Sequence, residues 1–329
     1  MASLTVVIVT ATPKAANLAR CLSSLSAQSF SDFEAIVVCS GVNAPEKPDQ
    51  MTGGEVARRT RFVTTANRGY GAACNKGARL SNAPFLIFLN DDTTLAPDYV
   101  KGLREALSKD ENRIYQSLIF HEYAQRALRG NPCDIYGAAG IGFYGKCGNG
   151  EFYASGASFA ISKNLFDRLG GFDEKLFLYH EDVDLCWRAR LMGYGVSVVE
   201  SAVCHHAGGA SSRTMPHATK FYLTQRNRIR VMIKNYSARK ILIRLPTTCS
   251  LIIAGGLFLG IKARGVQYFV SIFKAFAWNL FALQSTLFER QVIERKRVRD
   301  DEEIEKAMST HSMDMCVLKR YIASMRLGL

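Results

Sequence analysis

The chain has 329 residues with a formal charge of +13, and 48% of its residues are hydrophobic. That length suits one α/β domain with a fully buried core plus an appendage. Its nine cysteines lie at scattered spacings without a C-x-x-C, which points to neither a zinc site nor a disulfide framework and fits a reduced, cytoplasmic setting.

The charge is uneven. Residues 1–212 hold 21 Lys/Arg against 21 Asp/Glu, residues 213–299 hold 17 against 2, and residues 300–329 hold 4 against 6. The excess belongs to the C-terminal third and calls for an anionic partner there.

In chain order, "MASLTVVIVT" lacks a basic leader region and predicts a first strand rather than a signal peptide. Strand-like runs follow at Thr5–Thr10, Phe33–Cys39, Arg61–Thr64 and Phe85–Leu89, with helical spacing over Lys14–Ala27 and Gly69–Leu80. This alternation predicts an α/β fold, a mostly parallel sheet with helices on both faces. Phe33–Cys39 and Phe85–Leu89 are nearly all apolar, as central parallel strands are. Ligands in such folds bind at the carboxyl ends of strands, here Thr10, Cys39 and the "LNDDT" of residues 89–93.

Residues 130–150 are rich in glycine and predict a mobile surface loop. "FYASGASFAIS" predicts an alternating strand, and "KNLFDRLGGFDE" a helix closed by Gly170 and Gly171. After residue 212 a basic helix, Thr219–Asn235, gives way to apolar runs. The expected division is a first domain over 1–239 and a helical region over 240–329. No uncharged run reaches the roughly 20 residues of a spanning helix. The longest, Leu245–Ile261, contains Pro246 and the pair Gly255-Gly256.

Three motifs can carry chemistry. Asn90-Asp91-Asp92 ends a buried strand, where carboxylates suit a hard divalent cation bridging a diphosphate, or cap the following helix in an Asx-rich turn. His205-His206 follows the strand-like Val196–Val203; imidazole ligates metals, although a surface pair often has no role. In "FLYHEDVDLCWRARLMGY", Asp182 and Glu181 are candidates for a general base. Those acids, with Asp184, also complement a helix dipole in its first turn. Arg188 and Arg190 are expected to pair locally.

Taken together, "TVVIVT", "NRGYGAACNKG", "FLNDDT", "SGASFAIS", "LGGFDEKLFLYHEDVDLCWRARLMGY" and "HHAGGASS" resemble, in that order, the inverting family 2 glycosyltransferases of GT-A fold. The rhamnosyltransferase-like branch is the nearer likeness, over about residues 4–235, and "YLTQRNRIRVMIKNYS" and "LFERQVIERKRV" resemble its C-terminal region.

The resemblance implies a nucleotide-sugar donor, a lipid-linked or glycan acceptor, and a divalent metal, Mg²⁺ or Mn²⁺. Asp182 matches the family base, with Glu181 beside it. Asn90-Asp91-Asp92 matches the DxD-type motif, Asp92 being the metal contact, and His205 or His206 matches the histidine at the metal-diphosphate, the spacing to Ser211 favouring His205. Asn67, Gly69 and Asn75 match the helix against the donor nucleotide, and Gly156 the strand near the donor sugar. Two positions depart from the pattern: Cys39 stands where an aspartate usually holds the nucleobase, and Ala11-Thr12 replaces a Tyr-Asn. A thiol cannot accept a strong charge-assisted hydrogen bond from a base N–H. This motivates the alternative of a catalytically silent relative that binds a membrane or a partner.

In the C-terminal third, Phe269, Ile272, Phe273, Phe276, Leu280, Leu283 and Leu287 are spaced for one helical face among isolated cations. Helices lying in the headgroups of an anionic membrane fit this pattern, as does a packed subdomain or oligomer interface. The expected location is the inner face of the plasma membrane, peripherally bound. A nucleic-acid partner is not expected, because the basic segment is apolar rather than polar-aromatic.

Overall fold

The computed structural model describes residues 2–12, 16–44, 56, 58–121, 127–140, 151–208 and 215–326. Residues 141–150 of the loop expected over 130–150, and Gly209 and Ser211 of the histidine motif, lie outside the described residues, whereas Asn131, Cys133, Asp134, Ile135 and Ala138 of that segment are buried rather than on a surface loop. The chain falls into two compact units. The first comprises residues 1–130, 154–186 and 194–214, and the second residues 131–153, 187–193 and 215–329. The boundary expected at residue 239 lies inside the second unit.

The first unit is built on a nine-stranded sheet. Its elements begin β1 (Leu4–Thr10), α1 (Ala16–Ser26), β2 (Phe33–Ser40), β3 (Thr60–Thr65), α2 (Tyr70–Leu80), β4 (Phe85–Asn90), β5 (Thr93–Leu95), α3 (Tyr99–Lys109) and β6 (Arg113–His121). They continue with β7 (Ala127–Leu128), β8 (Ser158–Ser162), α4 (Lys163–Leu169), the start of α5 (Glu181–Leu191) and β9 (Gly195–His206). Strand order is β3-β2-β1-β4-β8-β6-β9-β5, with β7 on β6. β1, β2, β3 and β4 are parallel neighbours, as are β6 and β9, while β8 runs against both groups. The expected mostly parallel sheet is therefore present.

Val6, Val7, Ile8, Ile36, Val37, Ile87 and Phe88 are fully buried, which is why these runs are apolar on both alternating faces. Register sets the ligand end: Thr10 lies beside Cys39, and Val9 beside Asn90. The expected strand over 152–162 is shorter. Gly156 and Ala157 leave the ladder because their backbone groups are taken by Asp182, Tyr70 and the amide of Asn90.

The second unit continues with α6 (His217–Asn235), α7 (Ala238–Lys262), α8 (Gln267–Phe281), α9 (Leu283–Lys296), α10 (Asp301–Glu305) and α11 (Met313–Arg326). Trp187 stands edge-on to both Phe152 and Tyr236, and all three are buried. Arg190 donates to the Phe152 carbonyl at 2.8 Å and to the Glu151 carbonyl, and lies over the Phe152 ring.

Much of the basic excess is internal. Arg228, Arg230 and Lys234 of α6 are buried; Arg228 pairs with Asp314, and the other two share Glu289. Lys240 and Arg244 meet Glu305, and Arg297 meets Glu294 and Asp301. The expectation that this charge faces an anionic partner is thus corrected for these cations. A buried guanidinium or ammonium needs a paired acid, and α9, α10 and α11 supply it.

Two further expectations change. Pro246 does not end α7, and the 25-residue helix is long and apolar enough to cross a membrane, with a mean hydropathy of 1.7 in its most apolar window. Its charges cluster at its ends, which the count of uncharged residues overlooked. The face expected over 269–287 is split: α8 ends at Phe281, and Ile272 turns inward while Phe273 and Leu280 stay exposed. Among the described residues seven cysteines are free thiols, whereas Cys316 is disulfide-bonded, which corrects the expectation of reduced cysteines at that position.

Candidate active site

The carboxyl end of the sheet gathers motifs far apart in sequence. Directly after Asn90-Asp91-Asp92 the chain reverses into β5, which pairs antiparallel with the end of β9, Thr93 opposite His206 and Thr94 opposite His205. The amide of Ala207 donates to the Asp92 carbonyl at 3.0 Å. This short strand carries His206 to Asp92, with Nε2 to Oδ1 at 3.0 Å and the Asn90 Nδ2 3.3 Å from the same ring nitrogen.

Alternation along β9 separates the two histidines. His206 is buried, whereas His205 is exposed and stacks on Phe120. Nδ1 of His206 lies 3.1 Å from Nδ1 of His121, the last residue of β6. Burial and the neighbouring His206 push the His121 pKa down to about 4, so its imidazole is neutral. His121 had no signal in the sequence beyond an isolated histidine at the end of a strand.

Asp91 turns the other way. Thr10 Oγ1 donates to its Oδ2 at 2.6 Å, and burial raises its pKa to about 6 against that hydrogen bond. Thr10 therefore ties β1 to the motif. Cys39 is buried at the end of β2, and its burial raises the thiol to about 11, keeping it protonated. Beyond it Gly41, at φ 73°, packs on Asn67, which is exposed and accepts from the Gly69 amide at 3.3 Å.

Asp182 opens α5 with both oxygens held: Oδ2 accepts from the Gly156 amide at 2.9 Å, and Oδ1 from that of Val183 at 2.8 Å. Tyr70 Oη donates to the Gly156 carbonyl, and the Asn90 amide to the Ala157 carbonyl at 3.0 Å. One peptide segment, 156–157, thus links the candidate base to the Asn-Asp-Asp motif. Burial raises the Asp182 pKa, opposed by the two amide donors. Glu181 is buried without a hydrogen-bond partner at Oε2, and burial plus the Asp182 charge push it up to about 8. Burial and the adjacent Asp182 charge thus favour the neutral form of Glu181 over two neighbouring carboxylates.

The loop feeding these carboxylates is strained. Phe177 (φ 63°, ψ −64°), Tyr179 (φ 74°) and His180 (φ 68°) all have left-handed φ, and Leu178 N donates to Leu176 O in a tight γ-turn. Two contacts from α2 hold it. The Tyr70 amide donates to the Phe177 carbonyl at 2.8 Å, and Gly69 lies so close that a Cβ there would sit 2.0 Å from that oxygen. Asn75 braces the preceding turn: its Oδ1 accepts from Phe172 N, and its Nδ2 donates to Phe172 O, both at 2.9 Å. Gly69 and Asn75, expected beside the donor, thus make contacts that position the base loop. Tyr70 was not recognised from the sequence.

Among the described residues no group of three or more His, Cys, Asp or Glu side chains is placed around a common metal position. The donor set at Asp92 and His206 nevertheless fits a hard divalent ion. One carboxylate and one imidazole leave the remaining positions to diphosphate oxygens and water, the usual coordination of Mg²⁺ and Mn²⁺ with phosphates.

The carboxyl end of this α/β sheet thus presents Asn-Asp-Asp beside a histidine, with a carboxylate pair joined to it through the peptide 156–157. The glycosyl transferase family 2 model matches residues 5–170, and the chain belongs to that family. A hexosyltransferase of low-salt glycan biosynthesis, Agl10 of Haloferax volcanii, is 27% identical over 104 residues, 31% of this chain and 33% of that protein. The N-acetylglucosaminyl-diphospho-decaprenol L-rhamnosyltransferase of Mycobacterium tuberculosis is 37% identical over 62 residues, 18% of this chain and 20% of that one. The matches therefore span a third or less of these relatives. Among solved structures, a mannosyltransferase of Pyrobaculum calidifontis in complex with GDP-Man and Mn²⁺ superposes with a TM-score of 0.52 at 15% identity. That superposition covers 90% of this chain and 86% of the other, and the shared fold is GT-A.

Proposed function

We propose that the protein transfers a sugar, with inversion, from a nucleotide-diphosphate donor to a hydroxyl of a lipid-linked or glycan acceptor. The observation that carries this reading is Asp182, whose two oxygens are fixed by the Gly156 and Val183 amides beside the peptide bound to Asn90. A carboxylate so oriented can withdraw the acceptor proton while the acceptor oxygen attacks the anomeric carbon and the bond to the diphosphate breaks. One displacement needs one base, and the protonated Glu181 leaves Asp182 to act alone.

Asp92 and His206 would hold the divalent ion, which when bound neutralises the departing diphosphate. We assign His206 rather than His205 to this place, because His205 faces away from Asp92. Asn67, Gly41 and the end of β2 would border the nucleoside, Cys39 offering bulk rather than a charged acceptor. The mycobacterial relative acts, by its name, on an N-acetylglucosaminyl-diphospho-decaprenol, which supports a lipid-diphosphate acceptor and hence a membrane surface as partner. The inner face of the plasma membrane is the corresponding location.

Thermal-shift titration with UDP, GDP and dTDP in Mn²⁺ or Mg²⁺ tests the donor site. Stabilisation by one nucleotide that depends on metal is expected, followed by sugar transfer that D182N lowers by about 10²- to 10⁴-fold. The buried Cys39 favours a second reading, a silent relative; absence of metal-dependent binding to every nucleotide would establish that reading instead.

A further inference from the structure

We infer that α7 and α8 form a hairpin lying flat in one leaflet of an anionic bilayer, its outer faces in the acyl boundary, without crossing it. This deepens the membrane-bound reading above and rests on it. Among the described residues, every large apolar side chain that stands exposed lies at Leu242 or beyond. The most prominent are on α7, α8 and the turns that end them: Leu242 (78%), Ile261 (73%), Phe273 (74%) and Phe281 (88%). Apolar exposure concentrated on one part of a molecule marks an interaction surface.

The opposite face of α7 is fastened to the rest of its unit. Thr248 Oγ1 donates to the Tyr136 carbonyl at 3.2 Å, and Lys240 and Arg244 are paired with Glu305. Gly256 and Gly260 let α8 approach so closely that a Cβ would sit 2.5 Å from Ile272 and 2.8 Å from Phe269. α8 is tied in turn to α6, Asn279 Nδ2 donating to the Arg226 carbonyl and Ser271 Oγ to that of Ala218. A helix crossing the bilayer would lose these polar contacts at its middle, where lipid offers no replacement. The hairpin turn carries Lys262 and Arg264, both exposed, which opposes insertion tip first and suits a flat pose with cations at the headgroups.

Charge complementarity selects lipid over a second copy of the chain. Arg239, Arg264 and Lys274 are exposed along this surface, and the sequence holds no Asp or Glu between Glu200 and Glu289. Two such faces together would bring cation to cation, whereas anionic headgroups supply the missing charge.

The test uses the full chain in flotation with phosphatidylglycerol-containing vesicles and with neutral vesicles. Binding to the anionic vesicles is expected, reduced about a hundredfold by the double substitution Phe273→Glu with Phe281→Glu, while metal-dependent nucleotide binding is kept. R264C, compared with the unsubstituted chain, should react with a membrane-impermeant maleimide from outside intact vesicles. Labelling only after detergent would establish a spanning helix and overturn the flat pose, leaving membrane binding intact. Failure of the unsubstituted chain to float would overturn the membrane-bound reading itself, and a dimer then lost in the double variant would assign the face to a second copy. Unchanged flotation of the double variant would overturn the assignment to this face, and R264E, tested alongside, separates the headgroup contribution.

Discussion

At the residue scale, the candidate base and its neighbour are told apart by environment. Asp182 accepts two amide hydrogen bonds that favour its ionised form, whereas Glu181 Oε2 has none. D182N should therefore lower transfer by about 10²- to 10⁴-fold with nucleotide affinity retained. E181Q, replacing a protonated acid with an isostere, should keep turnover within about tenfold. Stability gives a second readout. Glu181 titrates near 8 in the folded protein and in the ordinary carboxyl range when unfolded, so the folded state binds the extra proton between those values. Wild-type stability must then fall as pH rises through that window. E181Q escapes the loss, and its Tm advantage should grow from about pH 5 to about pH 8, reaching roughly 3 °C or more; a difference independent of pH would place the proton elsewhere. At the metal end, H206A should weaken metal-dependent nucleotide binding at least about tenfold, as D92A should, while H205A leaves calorimetric affinity unchanged.

At the scale of elements, the loop 177–180 holds left-handed backbone at three non-glycine residues, and its strain is stable only because α2 packs on it. G69A tests this directly. A Cβ 2.0 Å from the Phe177 carbonyl cannot be accommodated without moving the backbone, and Gly69 itself sits at φ 96°. The expected result is a loss of about 2–4 kcal/mol in chemical denaturation together with reduced transfer. Substitution of the unconstrained Gly255, where a Cβ meets nothing within 4 Å, should cost little and provides the control. The strands β1, β2 and β4 were legible because their apolar runs have one structural solution. The γ-turn at Phe177 was not, since no local residue preference announces a left-handed phenylalanine.

At the scale of the whole molecule, buried cations decide where the chain can be divided. Truncation after residue 239 would remove Glu289 and Asp314 and leave Arg228, Arg230 and Lys234 buried without their acids. Breaking one such pair costs about 3–5 kcal/mol. The fragment 1–239 should therefore be insoluble or lack a cooperative melting transition, whereas the full chain melts cooperatively; a soluble fragment with unchanged nucleotide affinity would contradict this. Net charge is also a poor guide to surface here. Seven of the cations between residues 213 and 299, Arg228, Arg230, Lys234, Lys240, Arg244, Arg290 and Arg297, are in ion pairs within the second unit.

The sequence by itself determined the sheet and the motifs along it, because runs such as Phe33–Cys39 and Phe85–Leu89 bury only as central strands and the carboxylates after the second of them then fall at its carboxyl end. It also marked the C-terminal third as distinct. Tertiary structure alone decided which histidine meets Asp92, because that depends on the pairing of β5 with β9 and on which face of the pleat each side chain takes. It set Glu181 apart from Asp182, because burial and the Gly156 amide act across the fold rather than along the chain. It decided, finally, that much of the positive charge turns inward while the apolar side chains of α7 and α8 turn outward, since only packing reveals which partner each charge has found.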